Sequence, residues 1–182
     1  MLTDAARQPI AGANVWIASR VEGGEWQITG RPHTTGRTGR VGLPLPARTP
    51  SRQINVVYFP FSDSHEQAVG RPVKLKVRAG ATLAVSRRSA RNGQRVRFRG
   101  HVAGPIASGG ATASLQVKLG RRYRTFRALR VTSVGGGRFD TSYRFNSTSH
   151  ATRYRFRVLV SQQAGLPYER GTSSVTSVVV RP

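Results

Sequence analysis

Arg95-Val96-Arg97-Phe98-Arg99 alternates basic and apolar residues one for one. A period of two belongs to an extended strand, whose successive side chains point to opposite faces. Val96 and Phe98 therefore turn inward, and the three arginines turn to solvent. The device returns at residues 152–161, where Tyr154, Phe156, Val158 and Val160 fall on one face and Arg153, Arg155 and Arg157 on the other. Between these runs, Phe139, Thr141, Tyr143 and Phe145 share a face, with Arg138, Asp140, Ser142 and Arg144 opposite. Further strands are expected at residues 82–86, 113–119, 123–131 and 174–181. Breaks fall at Arg91-Asn92-Gly93-Gln94, at the Pro105-containing loop 100–110, at Gly135-Gly136-Gly137 and at loop 162–171. Seven strands in this spacing are the count of an immunoglobulin-like sandwich.

Residues 1–79 follow the same plan. Asn14-Val15-Trp16-Ile17-Ala18-Ser19-Arg20-Val21 reads as a strand, Glu22-Gly23-Gly24-Glu25 as a hairpin turn, and Trp26-Gln27-Ile28-Thr29 as the return. Residues 51–61 form another strand centred on Ile54-Asn55-Val56-Val57-Tyr58-Phe59. The prolines of Val41-Gly42-Leu43-Pro44-Leu45-Pro46 suit only an edge or a strand end. Residues 62–70 read as a polar loop. Pro72-Val73-Lys74-Leu75-Lys76-Val77 closes the unit. No segment carries a helical period. The expected fold is all-β: two tandem antiparallel β-sandwiches, residues 1–79 and 80–182. A chain of 182 residues accommodates two such domains. The joint near Ala79-Gly80 has no linker, so a rigid, elongated pair is expected.

Thirty basic and seven acidic residues give a net charge of +23. The excess is uneven. Residues 1–79 hold eleven basic and five acidic side chains, and residues 80–182 hold nineteen and two. Such an excess favours polyanions and speeds association with them. Only Lys74, Lys76 and Lys118 are lysine. Arginine suits bidentate contact with phosphate, sulfate or carboxylate, although an arginine-rich codon bias produces the same composition. There is no cysteine, hence no disulfide or thiolate chemistry. No run approaches the ~20 apolar residues of a membrane span, and no signal-peptide pattern opens the chain. Such an opening fits a cytoplasmic protein or a fragment of a longer one.

Leu2-Thr3-Asp4, Pro9-Ile10-Ala11-Gly12-Ala13-Asn14-Val15, Thr34-Thr35-Gly36-Arg37-Thr38-Gly39-Arg40-Val41 and Leu45-Pro46 carry a resemblance. Together they resemble the carboxypeptidase-regulatory-like (transthyretin-like) domains. Those domains share a Pro-Ile-x-Gly-Ala entry and a Thr-x-x-x-Gly-Arg turn. In them a strand begins several residues ahead of the entry turn, whereas Met1 falls almost on it here. The second half is similar to the immunoglobulin-like sandwich that follows such domains in secreted or membrane-anchored proteins of GC-rich bacteria. Asn92-Gly93-Gln94-Arg95-Val96, Leu115-Gln116, Gly137-Arg138-Phe139, Tyr154-Arg155-Phe156-Arg157 and Pro167-Tyr168 carry that likeness. The resemblance implies an extracellular or cell-surface setting and assigns no catalytic residue.

A search for catalytic chemistry returns little. His33, His65, His101 and His150 have no metal-ligand spacing between them. Asp63-Ser64-His65-Glu66 is the one tight cluster, and it reads as a solvated loop. Glu22 and Glu25 belong to a turn, and Asp140 reads as a surface ion pair with Arg138 or Arg144. No Gly-x-Ser-x-Gly elbow and no phosphate loop appear. Aromatic residues at strand positions, Tyr123 among them, read as core. Trp26, Phe61 and Tyr168 lie near turns or strand ends, where a ring can be exposed enough to stack on a sugar, and no sugar site is assigned to them. No catalytic residue, metal or cofactor is expected, and the chain reads as non-enzymatic.

What remains are two arginine ladders, Arg95, Arg97 and Arg99, and Arg153, Arg155 and Arg157, each spaced about 7 Å along its strand. In an immunoglobulin-like order the second and sixth strands lie in opposite sheets, so the ladders cover opposite outer faces. The plainer reading is a solvated face protected by charge. The functional reading is a structural or adhesive surface module that contacts anionic polymers: cell wall, polysaccharide or nucleic acid. The alternatives are a polyanion- or nucleic-acid-binding protein in the strict sense, or an accessory region of a larger secreted hydrolase, with the other domains of that chain as partners.

Overall fold

Runs of Val, Ile and aromatic residues between polar turns form strands throughout. The computed structural model describes all residues except 22, 23, 43, 45–48 and 61–66, and among the described residues there is no helix. The protein is all-β. The chain divides into two units, Met1–Lys76 and Val77–Pro182.

In the first unit, β1 (Asn14–Arg20), β2 (Gln27–Ile28), β3 (His33–Thr34), β4 (Arg52–Tyr58), β5 (Ala68–Val69) and β6 (Val73–Leu75) belong to one antiparallel sheet. β1 pairs with β4 from Val15–Tyr58 to Arg20–Gln53. β2 and β3 share the other side of β1, and β5 and β6 share the other side of β4. Val15, Ala18 and Val57 are buried, and Trp16 meets Phe59 edge-on at 5.2 Å.

The two glycine-containing motifs of this unit fasten to each other. The buried Thr35 hydroxyl donates to the Ile10 carbonyl at 2.8 Å and accepts from the Ala13 amide at 3.0 Å. Leu2 N–H donates to the Gly39 carbonyl at 2.8 Å. Gly39 has φ +66°, and a side chain there would overlap the Leu2 carbonyl, so the turn demands glycine. The Glu22–Glu25 turn, the Leu45-Pro46 pair, Phe61 and the Asp63-Ser64-His65-Glu66 cluster lie wholly or partly outside the described residues.

The second unit has two sheets. Strands β7 (Ala84–Val85), β8 (Ser89–Arg91), β9 (Arg95–His101), β10 (Ala111–Leu119), β11 (Arg122–Val131), β12 (Arg138–Arg144), β13 (Thr152–Val160), β14 (Gly171–Thr172) and β15 (Thr176–Arg181) follow in order. The smaller sheet runs β12-β9-β7. The larger runs β11-β10-β13-β15-β8, with β14 also on β13. All pairs are antiparallel except β15–β8, which joins the end of the unit to its beginning. Val96 and Phe98 from the smaller sheet meet Leu115, Phe156, Val158, Val178 and Val180 from the larger in one core. At its centre Phe98 and Phe156 pack edge-to-face with centroids 4.9 Å apart.

Two details depart from the sequence reading. Val77 to Ala79, expected to end the first unit, belong to the second. Glu169 N–H donates to the Val77 carbonyl at 2.8 Å, Ala79 N–H donates to the Glu169 carbonyl at 2.9 Å, and Ala79 is buried in the core. Tyr168, a candidate for an exposed ring by its place near a strand end, is only 4% accessible. Its ring lies against Gly104, whose φ of +105° and lack of a side chain make the seat.

Replacing Phe156 with Ala removes a ring from the fully buried centre and leaves a cavity. We expect a loss of about 3–5 kcal/mol in unfolding free energy, measured by urea unfolding followed by near-UV circular dichroism. Gly104→Ala combines a disfavoured φ with overlap on the Tyr168 hydroxyl. It is expected to lower the urea midpoint more than Gly93→Ala, where an added methyl meets open space.

Candidate functional site

The inward set of β9 and β13 dictates where their arginines go. Because Val96, Phe98, Phe156 and Val158 are buried between the sheets, Arg95, Arg97 and Arg99 lie on the outer face of the smaller sheet. Arg153, Arg155 and Arg157 lie on the outer face of the larger one. The two ladders are thus separated by the full thickness of the core and form no common groove.

Register decides the neighbours of the first ladder. On β12, Arg144 stands opposite Arg95, Ser142 opposite Arg97, Asp140 opposite Arg99 and Arg138 opposite His101. Asp140 draws in two rungs. Arg97 Nε donates to Oδ1 at 2.6 Å and its Nη2 meets Oδ2 at 2.5 Å, a bidentate pair. Arg99 Nε lies 3.3 Å from Oδ2. The sequence reading of Asp140 as an ion-paired residue is right in kind. Its partners are nevertheless the cross-strand ladder arginines and not Arg138 or Arg144 on its own strand. The hydrogen bond from Arg97 holds the Asp140 carboxyl below the usual carboxylate range; partial desolvation opposes this, and the charges of Arg97 and Arg99 reinforce it. The same bond raises the Arg97 guanidinium above its ordinary value. A carboxylate stabilised in this way is a poor proton acceptor.

Beside this network is a shallow, open depression of about 570 Å³ lined by Thr82, Arg99, His101, Arg138, Phe139 and Asp140 together with Gly100 and Gly136. Thr82 Oγ1 and His101 Nδ1 are 2.8 Å apart, which fixes the imidazole against the sheet. Among the described residues no three His, Asp or Glu side chains gather as metal ligands.

The second ladder is built differently. Arg157 stands opposite Gln116 on β10 and donates from Nε to Gln116 Oε1 at 2.9 Å. Gln116 passes the chain on to Thr125 Oγ1 at 3.2 Å. The Arg157 guanidinium also covers the Tyr123 ring at 3.8 Å from its centroid. Tyr123 is therefore an outer-face residue and not the core residue that its strand position suggested. Parity with the buried Leu129 and Val131 points it inward; the register shift opposite Leu115 and Gln116 leaves Phe126 against Phe98 and Phe156 and turns Tyr123 outward. Arg153 and Arg155 stand opposite Val179 and Ser177 on β15 and make no side-chain hydrogen bond or ion pair among the described residues.

In the first unit Trp26 is 38% accessible, with the Arg20 guanidinium 4.9 Å from the ring. One face of this exposed indole is occupied by its own neighbour.

No protein-family model and no curated protein matches the chain. Among solved structures, the adhesin InvE of Yersinia pseudotuberculosis aligns over 98% of this chain and 52% of its own, at 11% identity and a TM-score of 0.37. A beta-glycosidase from Bacteroides vulgatus aligns over 99% of this chain and 24% of its own, at 11% identity and a TM-score of 0.33. The chain thus spans about half and about a quarter of those two proteins.

The depressed Asp140 pKa gives the first ladder a pH signature. A carboxylate whose folded pKa lies below its unfolded value stabilises the fold above that unfolded value, about 3.9, and the contribution is lost as pH falls through the folded value. Asp140→Asn should therefore lower the unfolding midpoint near neutral pH. The gap to the native chain should close as the pH is taken below about 4. Urea midpoints across that range check this.

Proposed function

We propose that this chain is a non-enzymatic, secreted or cell-surface β-sandwich module. In this reading its first unit is a carboxypeptidase-regulatory-like (transthyretin-like) domain and its second an immunoglobulin-like domain. The mutual fastening of the Pro9–Ala13 and Thr34–Arg40 motifs supports the first assignment, because the residues that carry the resemblance act together in space. The paired sheets of the second unit support the other.

The module's task is attachment to anionic polymers of a cell wall or matrix. The observation that carries this is the outward presentation of both arginine ladders on a unit with nineteen basic and two acidic residues past position 79. Spread over broad sheet faces, such charge suits multipoint contact with a flexible chain better than recognition of one small molecule. The residues that make contact are Arg95, Arg97, Arg99, Arg153, Arg155 and Arg157.

The test is binding of the purified chain to duplex DNA, a sulfated polysaccharide and an anionic cell-wall polymer, each across a salt series. A variant with all six arginines changed to Ser is run beside it, its fold checked by circular dichroism. The expected result is a preference for one polymer that persists above physiological salt and is lost in the variant. Weak binding to all three that fades together with salt would reduce the charge to composition and leave a structural spacer.

A further inference from the structure

The two ladders differ in whether their charge is already satisfied. On the smaller sheet, Asp140 engages two of three rungs. The larger sheet presents a wider set. On β15, Val178 and Val180 are buried, so Arg181 points outward. It stands beside Arg91 of β8, whose neighbour Ala90 is buried. One step past the last paired position of β10 and β13, Val117–Phe156, Lys118 comes opposite Arg155. Arg91, Lys118, Arg153, Arg155, Arg157 and Arg181 thus gather toward one end of one face.

Within the second unit no acidic side chain lies among them. The second unit has two acidic side chains, Asp140 on β12 of the other sheet and Glu169 in the loop before β14. Like charges directly across a strand pair are destabilising, and Arg181–Arg91 is such a pair. The smaller face repeats this at Arg95–Arg144, but its middle is closed by Asp140. Arg157, stacked on Tyr123 and hydrogen-bonded to Gln116, is held in place before any ligand arrives, so less side-chain freedom is lost when it binds.

We propose that the outer face of the larger sheet, centred on Arg153, Arg155 and Arg157, is the polyanion-binding face, that its occupant is an anionic polysaccharide, and that the Arg97–Asp140–Arg99 network is structural. This rests on the attachment function proposed above and narrows it to one face. A polysaccharide is favoured over duplex DNA by the spread of the basic groups. They cover four strands spaced about 4.8 Å apart, which a flexible chain can follow. The face is an open sheet, and among the described residues there is no helix to enter a groove of a duplex.

The test compares two variants of the full chain that remove equal charge. Arg153→Ser/Arg155→Ser alters the larger face. Arg138→Ser/Arg144→Ser alters the smaller face and leaves the Asp140 network intact. Dextran sulfate is the probe, with duplex DNA of matched charge as the comparison. The larger-face variant is expected to bind dextran sulfate about tenfold or more weakly, with a slope of log affinity against log salt reduced by about two. The smaller-face variant should stay within about threefold of the native chain. Equal weakening in the two variants, or tighter binding of native chain to DNA than to dextran sulfate, would overturn this inference while leaving polyanion attachment standing. A native chain that binds neither polymer would overturn the attachment reading itself, and this inference with it.

Discussion

The contact of Phe98 with Phe156 is the constraint on which the second unit depends. Each ring comes from the middle of an alternating strand in a different sheet, and each is almost wholly removed from water. Burial of a side chain this size contributes roughly 1.5–3 kcal/mol relative to exposure. A one-residue slip of either strand would exchange phenylalanine for arginine in the core. The penalty for that exchange is far larger than the repulsion among arginines lined up outside. The ladders are therefore a consequence of register locked from within. Their charge is tolerated because the core can carry it.

That tolerance has a local structure. Arg97 and Arg99 converge on one carboxylate, and the bidentate geometry with Arg97 fixes how β12 lies against β9 at that rung. Both partners are about half exposed, so this contact matters for orientation more than for total stability. On the other sheet, Arg157 finds neutral partners, a glutamine and a tyrosine ring, and keeps its full charge. One face neutralises part of its charge internally, whereas the other arranges its charge without cancelling it. A residue that is positioned but not paired remains available to an incoming anion.

The all-β fold and the faces of the strongest strands were legible because period-two alternation is a local signal. Arg95 to Arg99 and Arg153 to Arg157 state their own orientation. Asp140's true partners were not legible, because cross-strand neighbours depend on register and not on sequence distance. Alternation put Asp140 on an arginine-bearing face but could not tell that Arg97 and Arg99 stand across from it. Strand β8 escaped notice because three residues with one buried alanine carry no period. Tyr123 has the parity of the buried Leu129 and Val131, and the bulge that turns it outward leaves no local mark in the sequence. The burial of Tyr168 depends on Gly104, more than sixty positions away, and on a backbone angle that composition does not reveal.

The Asn92–Thr148 clamp shows the same limit from another side. Asn92 reads as a turn residue, and it is one. Its side chain also donates to the Thr148 carbonyl at 2.8 Å and accepts from the Thr148 amide at 3.1 Å, tying the turn before β9 to the loop before β13. Those two strands carry the ladders. The clamp joins them at one end as Phe98 and Phe156 join them in the middle, so the arginine faces are fixed relative to each other by contacts that involve no arginine. An anionic chain meeting either face would encounter side chains on a rigid sheet, where multipoint contact loses little to rearrangement of the protein. Rigidity set by the core and the clamp, more than the number of arginines, separates a binding face from a merely basic surface.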